Sequence, residues 1–140
     1  MAMNKIHTAL TVAVFLCLFL LGACGGSVDR DPLSGTAWTL TAFGDNQPIP
    51  GTALTIEFSE GRLGGSSGCN MYGATYETRG EKITIGDIES TLMACLDEGA
   101  MDQEGAFLAF LQEVRTFSLN QGQLQLLRPD GQALTFTPLE

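Results

Sequence analysis

Downstream of residue 33 the chain alternates apolar and polar positions with the period of a β-strand, broken once by a segment with helical period. Trp38, Leu40 and Ala42 share one side of 36–43 and threonines hold the other, which predicts a half-buried strand. Leu54, Ile56 and Phe58 alternate with Thr55, Glu57 and Ser59 and predict a second. Tyr72, Ala74 and Tyr76 predict another, ended by Arg79-Gly80-Glu81. Ile83 and Ile85 continue the alternation, and Ile88 falls out of phase after Gly86, which suggests a bulge.

Between the second and third of these runs, 61–72 reads Gly-Arg-Leu-Gly-Gly-Ser-Ser-Gly-Cys-Asn-Met-Tyr. Glycine and serine stand where a strand ordinarily carries branched apolar residues. The expectation is a kinked strand, in which glycine permits a bulge or the close approach of another backbone, carrying Cys69 to a partner.

The helical segment is expected over about 100–114, with Asp97 and Glu98 near its positive end. Met101, Phe107, Leu108, Leu111 and Val114 fall on one helical face, with Gln103, Gln112 and Glu113 away from it. Three further strands are predicted at 116–119, 123–127 and 133–137, joined by turns at Asn120-Gln121-Gly122 and Pro129-Asp130-Gly131. The fold class that follows is mainly β: about eight antiparallel strands in a strongly curved sheet or partly open barrel, with one helix packed on it.

The N-terminus has another character. Lys5 precedes an apolar run over 9–23, too short to span a bilayer comfortably and suited to a secretion signal. Leu21-Gly22-Ala23-Cys24 resembles the lipobox of bacterial lipoproteins, in which cleavage falls between Ala23 and Cys24 and the lipid is carried on the cysteine. The alternative is an ordinary signal, or a membrane helix with a chance cysteine. Residues 1–23 are expected as a lipoprotein signal peptide, 24–32 as a lipidated flexible tether, and 33–140 as the folded domain. Gly25 in place of Asp, by resemblance to Gram-negative lipoproteins, favours the outer membrane, facing the periplasm.

Cleavage removes Lys5 and His7, leaving 6 basic against 16 acidic residues, a net −10, and no histidine. That charge disfavours nucleic acid and anionic headgroups, and it would steer basic proteins. Solubility of a tethered domain is the simpler explanation and the preferred one. Of the four cysteines, Cys69 and Cys95 remain for a disulfide outside the reducing cytosol, the alternative being two buried free thiols.

Candidate chemistry is sparse. Gly64-Gly65-Ser66-Ser67-Gly68 fits the G-x-S-x-G signature of serine hydrolases, but a hydroxyl without a histidine base stays protonated and weakly nucleophilic. Asp97, Glu98, Asp102 and Glu104 cluster without EF-hand spacing, and zinc lacks a histidine or a close cysteine pair, so no metal and no cofactor is assigned. Trp38, Tyr72 and Tyr76 serve either as core or as the lining of a small apolar cavity.

Gly35-Thr36 with Trp38, Gly61-Arg62 with Gly64, Gly68-Cys69-Asn70 with Tyr72, Thr91 with Met93-Ala94-Cys95, and Glu104 with Phe107-Leu108 together resemble the META domain, the HslJ-type family of bacterial envelope proteins, over about 33–136. The resemblance implies a small secreted or lipid-anchored protein linked to heat or antibiotic stress, without an agreed activity. It gives Trp38, Gly61, Gly68, Asn70, Tyr72, Thr91, Met93, Ala94 and Glu104 structural roles. The expected function is non-enzymatic: envelope stress or antibiotic tolerance through an envelope protein partner. The alternatives are an acidic inhibitor of a basic hydrolase such as lysozyme, and a carrier of a small apolar ligand.

Overall fold

Alternation buries one face of each strand, and a sheet with a single apolar face can hide it by curling onto itself. The computed structural model describes residues 30–95 and 99–140. In chain order the elements are β1 (Thr36–Phe43), β2 (Thr55–Ser59), β3 (Arg62–Ser66), β4 (Met71–Arg79), β5 (Lys82–Ile85), β6 (Glu89–Ser90), α1 (Ala100–Glu113), β7 (Thr116–Asn120), β8 (Gln123–Leu127) and β9 (Ala133–Pro138). Antiparallel pairing runs β3-β2-β1-β9-β8-β7-β5-β4, and the β3–β4 pairing joins the ends of that order into a closed barrel, with β6 added on β4. Among the described residues the expected mainly antiparallel fold with one helix is therefore present, and the barrel closes completely.

The lumen is packed solid. Trp38 and Leu40 from β1, Ile56 and Phe58 from β2, Tyr72 and Tyr76 from β4, and Leu134 and Phe136 from β9 belong to one buried cluster. Edge-to-face contacts lock it, with ring centroids 5.0 Å apart for Phe58 and Tyr76 and 5.6 Å for Tyr72 and Phe107. Trp38, Tyr72 and Tyr76 are thus core residues.

The 61–72 stretch corrects the expectation of one kinked strand. It is β3, a turn at 67–70 and the start of β4, with Ser66 paired to Met71. Glu60 and Gly61, both at positive φ, form the preceding two-residue turn, which suits glycine at the second position. A Cβ at Gly64 would sit 2.8 Å from the Tyr72 carbonyl oxygen, and one at Gly65 only 2.3 Å from that of Thr55. At Gly64 and Gly65 β3 carries no side chain, and this lets the backbones of β4 and β2 approach it closely.

Three smaller expectations also shift. Ile88 follows no bulge: β5 ends at Ile85, and β6 begins separately at Glu89. The irregularity lies in β1 instead, where the register with β9 slips between Leu40 and Ala42. Folding also starts before Leu33: Asp31 accepts hydrogen bonds from the Leu33 amide (3.0 Å), Thr78 Oγ1 (3.2 Å) and the Tyr76 hydroxyl, and Leu33 is fully buried.

These contacts occupy one end of the barrel, where β1 starts and β4 ends. Helix α1 lies across the other. Phe110 packs edge-on against Phe43 at 5.4 Å with Arg128 stacked 5.0 Å from its centroid, and Gln112 Nε2 donates to the Gly86 carbonyl at 2.8 Å. The helix buries Ala100, Glu104, Phe107, Phe110 and Leu111. Val114 caps it and is fully buried, whereas Met101, expected on the core face, is 49% exposed. The β5–β7 seam is narrow, with Lys82 opposite Thr116 as its single register pair, so α1 and its cap support the weakest joint of the ring.

Replacing Gly65 by Ala should destabilise the domain by about 2 kcal/mol or more, since the neighbouring backbone cannot move aside. Gly105→Ala, in the helix with open space around its Cα, should stabilise it by about 0.5–1 kcal/mol. Urea unfolding of the two variants beside the parent measures both; equal midpoints for Gly65→Ala and the parent would contradict the packing account.

Candidate functional site

The residues of the motif blocks meet at the helix-covered end. Cys69 and Asn70 lie in the β3–β4 turn, Thr91, Met93, Ala94 and Cys95 follow β6, and Glu104 projects from the second turn of α1. Cys69 and Cys95 are joined by a disulfide, with Cα atoms 5.8 Å apart. The loop-entropy model puts a bridge over such a span at roughly 3.5 kcal/mol.

Asn70 is the hub. Its Oδ1 accepts from Thr91 Oγ1 and from the Met93 amide, both at 2.7 Å, while its Nδ2 donates to the Met93 carbonyl at 3.2 Å and to Glu104 Oε1 at 2.7 Å. Glu104 Oε2 accepts from the Asn70 amide at 2.9 Å and from Ser67 Oγ at 2.6 Å. Glutamate so enclosed has opposing influences on it. Burial by itself raises its pKa, but the hydrogen bonds from Ser67 and Asn70 outweigh that and hold the carboxyl below the ordinary value of 4.5. The result is a buried, ionised carboxylate whose lone pairs are taken by fixed donors.

Such a carboxylate is a poor acid or base, because its proton affinity is depressed and its oxygens are occupied. Ser66, the serine of the hydrolase-like spacing, ends β3 and its Oγ accepts from the Gly68 amide at 3.2 Å; a turn and a strand follow it rather than a helix. Tyr72 donates its hydroxyl to the Thr55 carbonyl at 2.9 Å, and burial pushes its phenol well above the usual range. Among the described residues no group of three or more potential metal ligands gathers, and Glu104 faces Asn70 and Ser67 while Asp102 is exposed. Asp97 and Glu98 lie outside the described residues, as do 1–23, Cys24 and the tether as far as Asp29.

The remaining motif residues have placements of their own. Trp38 donates its indole N–H to Thr36 Oγ1 at 2.7 Å, Gly61 takes the β2–β3 turn, and Gly68 occupies positive φ in the turn that presents Cys69. Sequence reasoning put Gln103 away from the core face, yet it ties α1 to the 44–52 loop. Its Oε1 accepts from the Ile49 amide at 2.6 Å and its Nε2 donates to Thr52 Oγ1 at 2.8 Å. Ser67 was likewise missed as a partner of Glu104. A separate surface cleft of about 590 Å³, bordered by Phe43, Asp45, Asn46, Gln125, Asp130 and Gln132, contains none of the motif residues.

Replacing Glu104 by Gln puts an amide N–H₂ among donors and should cost about 2 kcal/mol or more at neutral pH. Because the folded carboxyl titrates below 4.5, its contribution is complete above that value and is lost as pH falls through the lower, folded value. Urea midpoints across this acid range should fall more steeply for the parent than for Glu104→Gln; parallel curves would contradict the assignment.

Comparison with known proteins agrees with this geometry. The META domain family model matches residues 31–140. An NMR structure of a protein from Burkholderia xenovorans is 30% identical, covers 76% of this chain and 83% of its own, and superposes with a TM-score of 0.66. A second NMR structure, 21% identical over 75% of this chain and 90% of its own, shares the fold with a TM-score of 0.62. No curated protein matches the chain. The barrel, the two cysteine blocks bridged across its end and the match over nearly every described residue lead to one conclusion: the chain belongs to the META domain family.

Proposed function

We propose that this META-domain protein is a non-enzymatic, lipid-anchored component of the bacterial cell envelope. It supports tolerance of heat or antibiotic stress through contacts with other envelope components. The observation that carries the non-enzymatic reading is the Asn70–Glu104 network. The polar motif residues that would furnish an active site are hydrogen-bonded to one another in holding a loop and a helix together. The sequence after Cys24 also supplies no histidine as a base.

Anchoring rests on Leu21-Gly22-Ala23-Cys24 at the end of the apolar run, and the outer-membrane, periplasm-facing placement rests on Gly25. The N-terminal segment meets the barrel at Asp31, opposite α1. In an anchored protein the helix-covered end would therefore point away from the lipid, toward partners.

Deleting the gene and challenging cells with heat and with membrane-active antibiotics is expected to lower survival. The parent gene should restore it, and Cys24→Ser should fail to restore it at equal protein level. Wild-type survival of the deletion strain under every challenge would sink the proposal.

A further inference from the structure

The loop at 91–94 carries an apolar side chain that the fold holds in water. Leu92 is 97% exposed, Met93 57% and Met71, at the adjoining start of β4, 56%. A slack loop would fold such side chains back onto the surface. This one is fixed on both sides of Leu92 by the hydrogen bonds of Thr91 and Met93 to Asn70, and further along by the Cys69–Cys95 bridge. Met101, half-exposed in the first turn of α1, stands at the same end of the barrel.

Charge narrows the occupant. Met71 and Glu89 line one shallow depression of about 330 Å³ that continues to Thr91, and Asp87 and Asp102 are exposed on the neighbouring segments. Of the basic side chains among the described residues, only Arg62 comes near, its guanidinium reaching along β3 to the Gly73 position that borders this depression; Arg79 and Lys82 sit at the opposite end of the barrel, and Arg128 is engaged by Glu113 and Asp130. Arg115 donates to the Gln112 and Val114 carbonyls at the far end of α1. A second copy of this chain, at net −9, would bring like charges together. Flexible methionines rimmed by carboxylates suit a segment with one apolar and one cationic face.

We propose that Leu92 and Met93, with Met71 and Met101 beside them, form a docking surface for a cationic amphipathic polypeptide segment. This rests on the reading of the protein as one that works through contacts, and it names the class of partner. Asn70, Glu104 and the disulfide then have a purpose beyond stability: they present the loop.

The full chain carrying Cys24→Ser, kept free of lipid, is titrated at low salt with a fluorescent Leu/Lys amphipathic peptide. A scrambled peptide of the same composition and a Leu/Glu counterpart are run beside it. The Leu/Lys peptide should bind best and the Leu/Glu peptide not at all. Leu92→Ser combined with Met93→Gln should weaken binding roughly ten-fold or more, and Met101→Gln by a smaller factor. Leu119→Ser, at the opposite end, should leave it unchanged. All these positions are exposed, so the variants should unfold with the parent. Absence of binding by the Leu/Lys peptide, equal weakening by Leu119→Ser, or parent-like binding by the Leu92/Met93 variant, meaning charge alone, would each overturn the proposal. Such a failure would remove this surface, while the deletion experiment separately decides the stress role.

Discussion

A buried carboxylate organises the helix-covered end of this barrel. Glu104 is tolerated there because Ser67 and Asn70 supply the donors that water would have supplied. Removing a donor would leave a charge in a poorly solvated place, and removing the charge would leave donors unpaired. Turn, loop and helix are therefore coupled through one side chain. Asn70 extends the coupling outward, since the amide that donates to Glu104 also donates to the 91–94 loop and accepts from it. The disulfide adds a covalent tie between the same two segments.

The opposite end depends on a different constraint. There the barrel is sealed by Leu33, with Asp31 bound to Tyr76 and Thr78, while the close backbone approach at Gly64 and Gly65 lies along β3 toward the helix-covered end. One end is thus sealed by the segment that precedes the barrel and the other by a helix inserted between β6 and β7. A solid aromatic and aliphatic core lies between them. A filled lumen leaves function to the surface and the loops, where the fold places side chains that its own stability does not use.

Much of this was legible in the sequence. Strands β1, β2 and β8 and the helix follow directly from residue period, because each buries one face against a continuous core. The 61–72 stretch was read as one strand because the turn at Ser67-Gly68-Cys69-Asn70 is built from residue types that also fill the strand before it. Glycine removed the side-chain alternation that would have marked where β3 ended. Met101 is exposed although Ala100 before it is buried, because the buried face runs through Ala100, Glu104, Phe107 and Leu111 and leaves Met101 on its flank. Gln103 and Asp31 were missed because their partners lie 54 and 45 residues away, and no local pattern encodes such pairing. For Asn70 and Glu104, the family resemblance named both residues but not that they touch.

The exposed 91–94 loop is tied through Asn70 to a buried carboxylate that it never touches. Native-state hydrogen exchange at the Met93 amide tests it most directly, since that N–H is bonded to Asn70 and not to Glu104. Protection of Met93 close to that of core amides such as Phe58, and its marked loss in Glu104→Gln while Phe58 stays protected, is the predicted result. Exchange of Met93 in the parent at the rate of an unprotected loop amide, or protection untouched by Glu104→Gln, would contradict it.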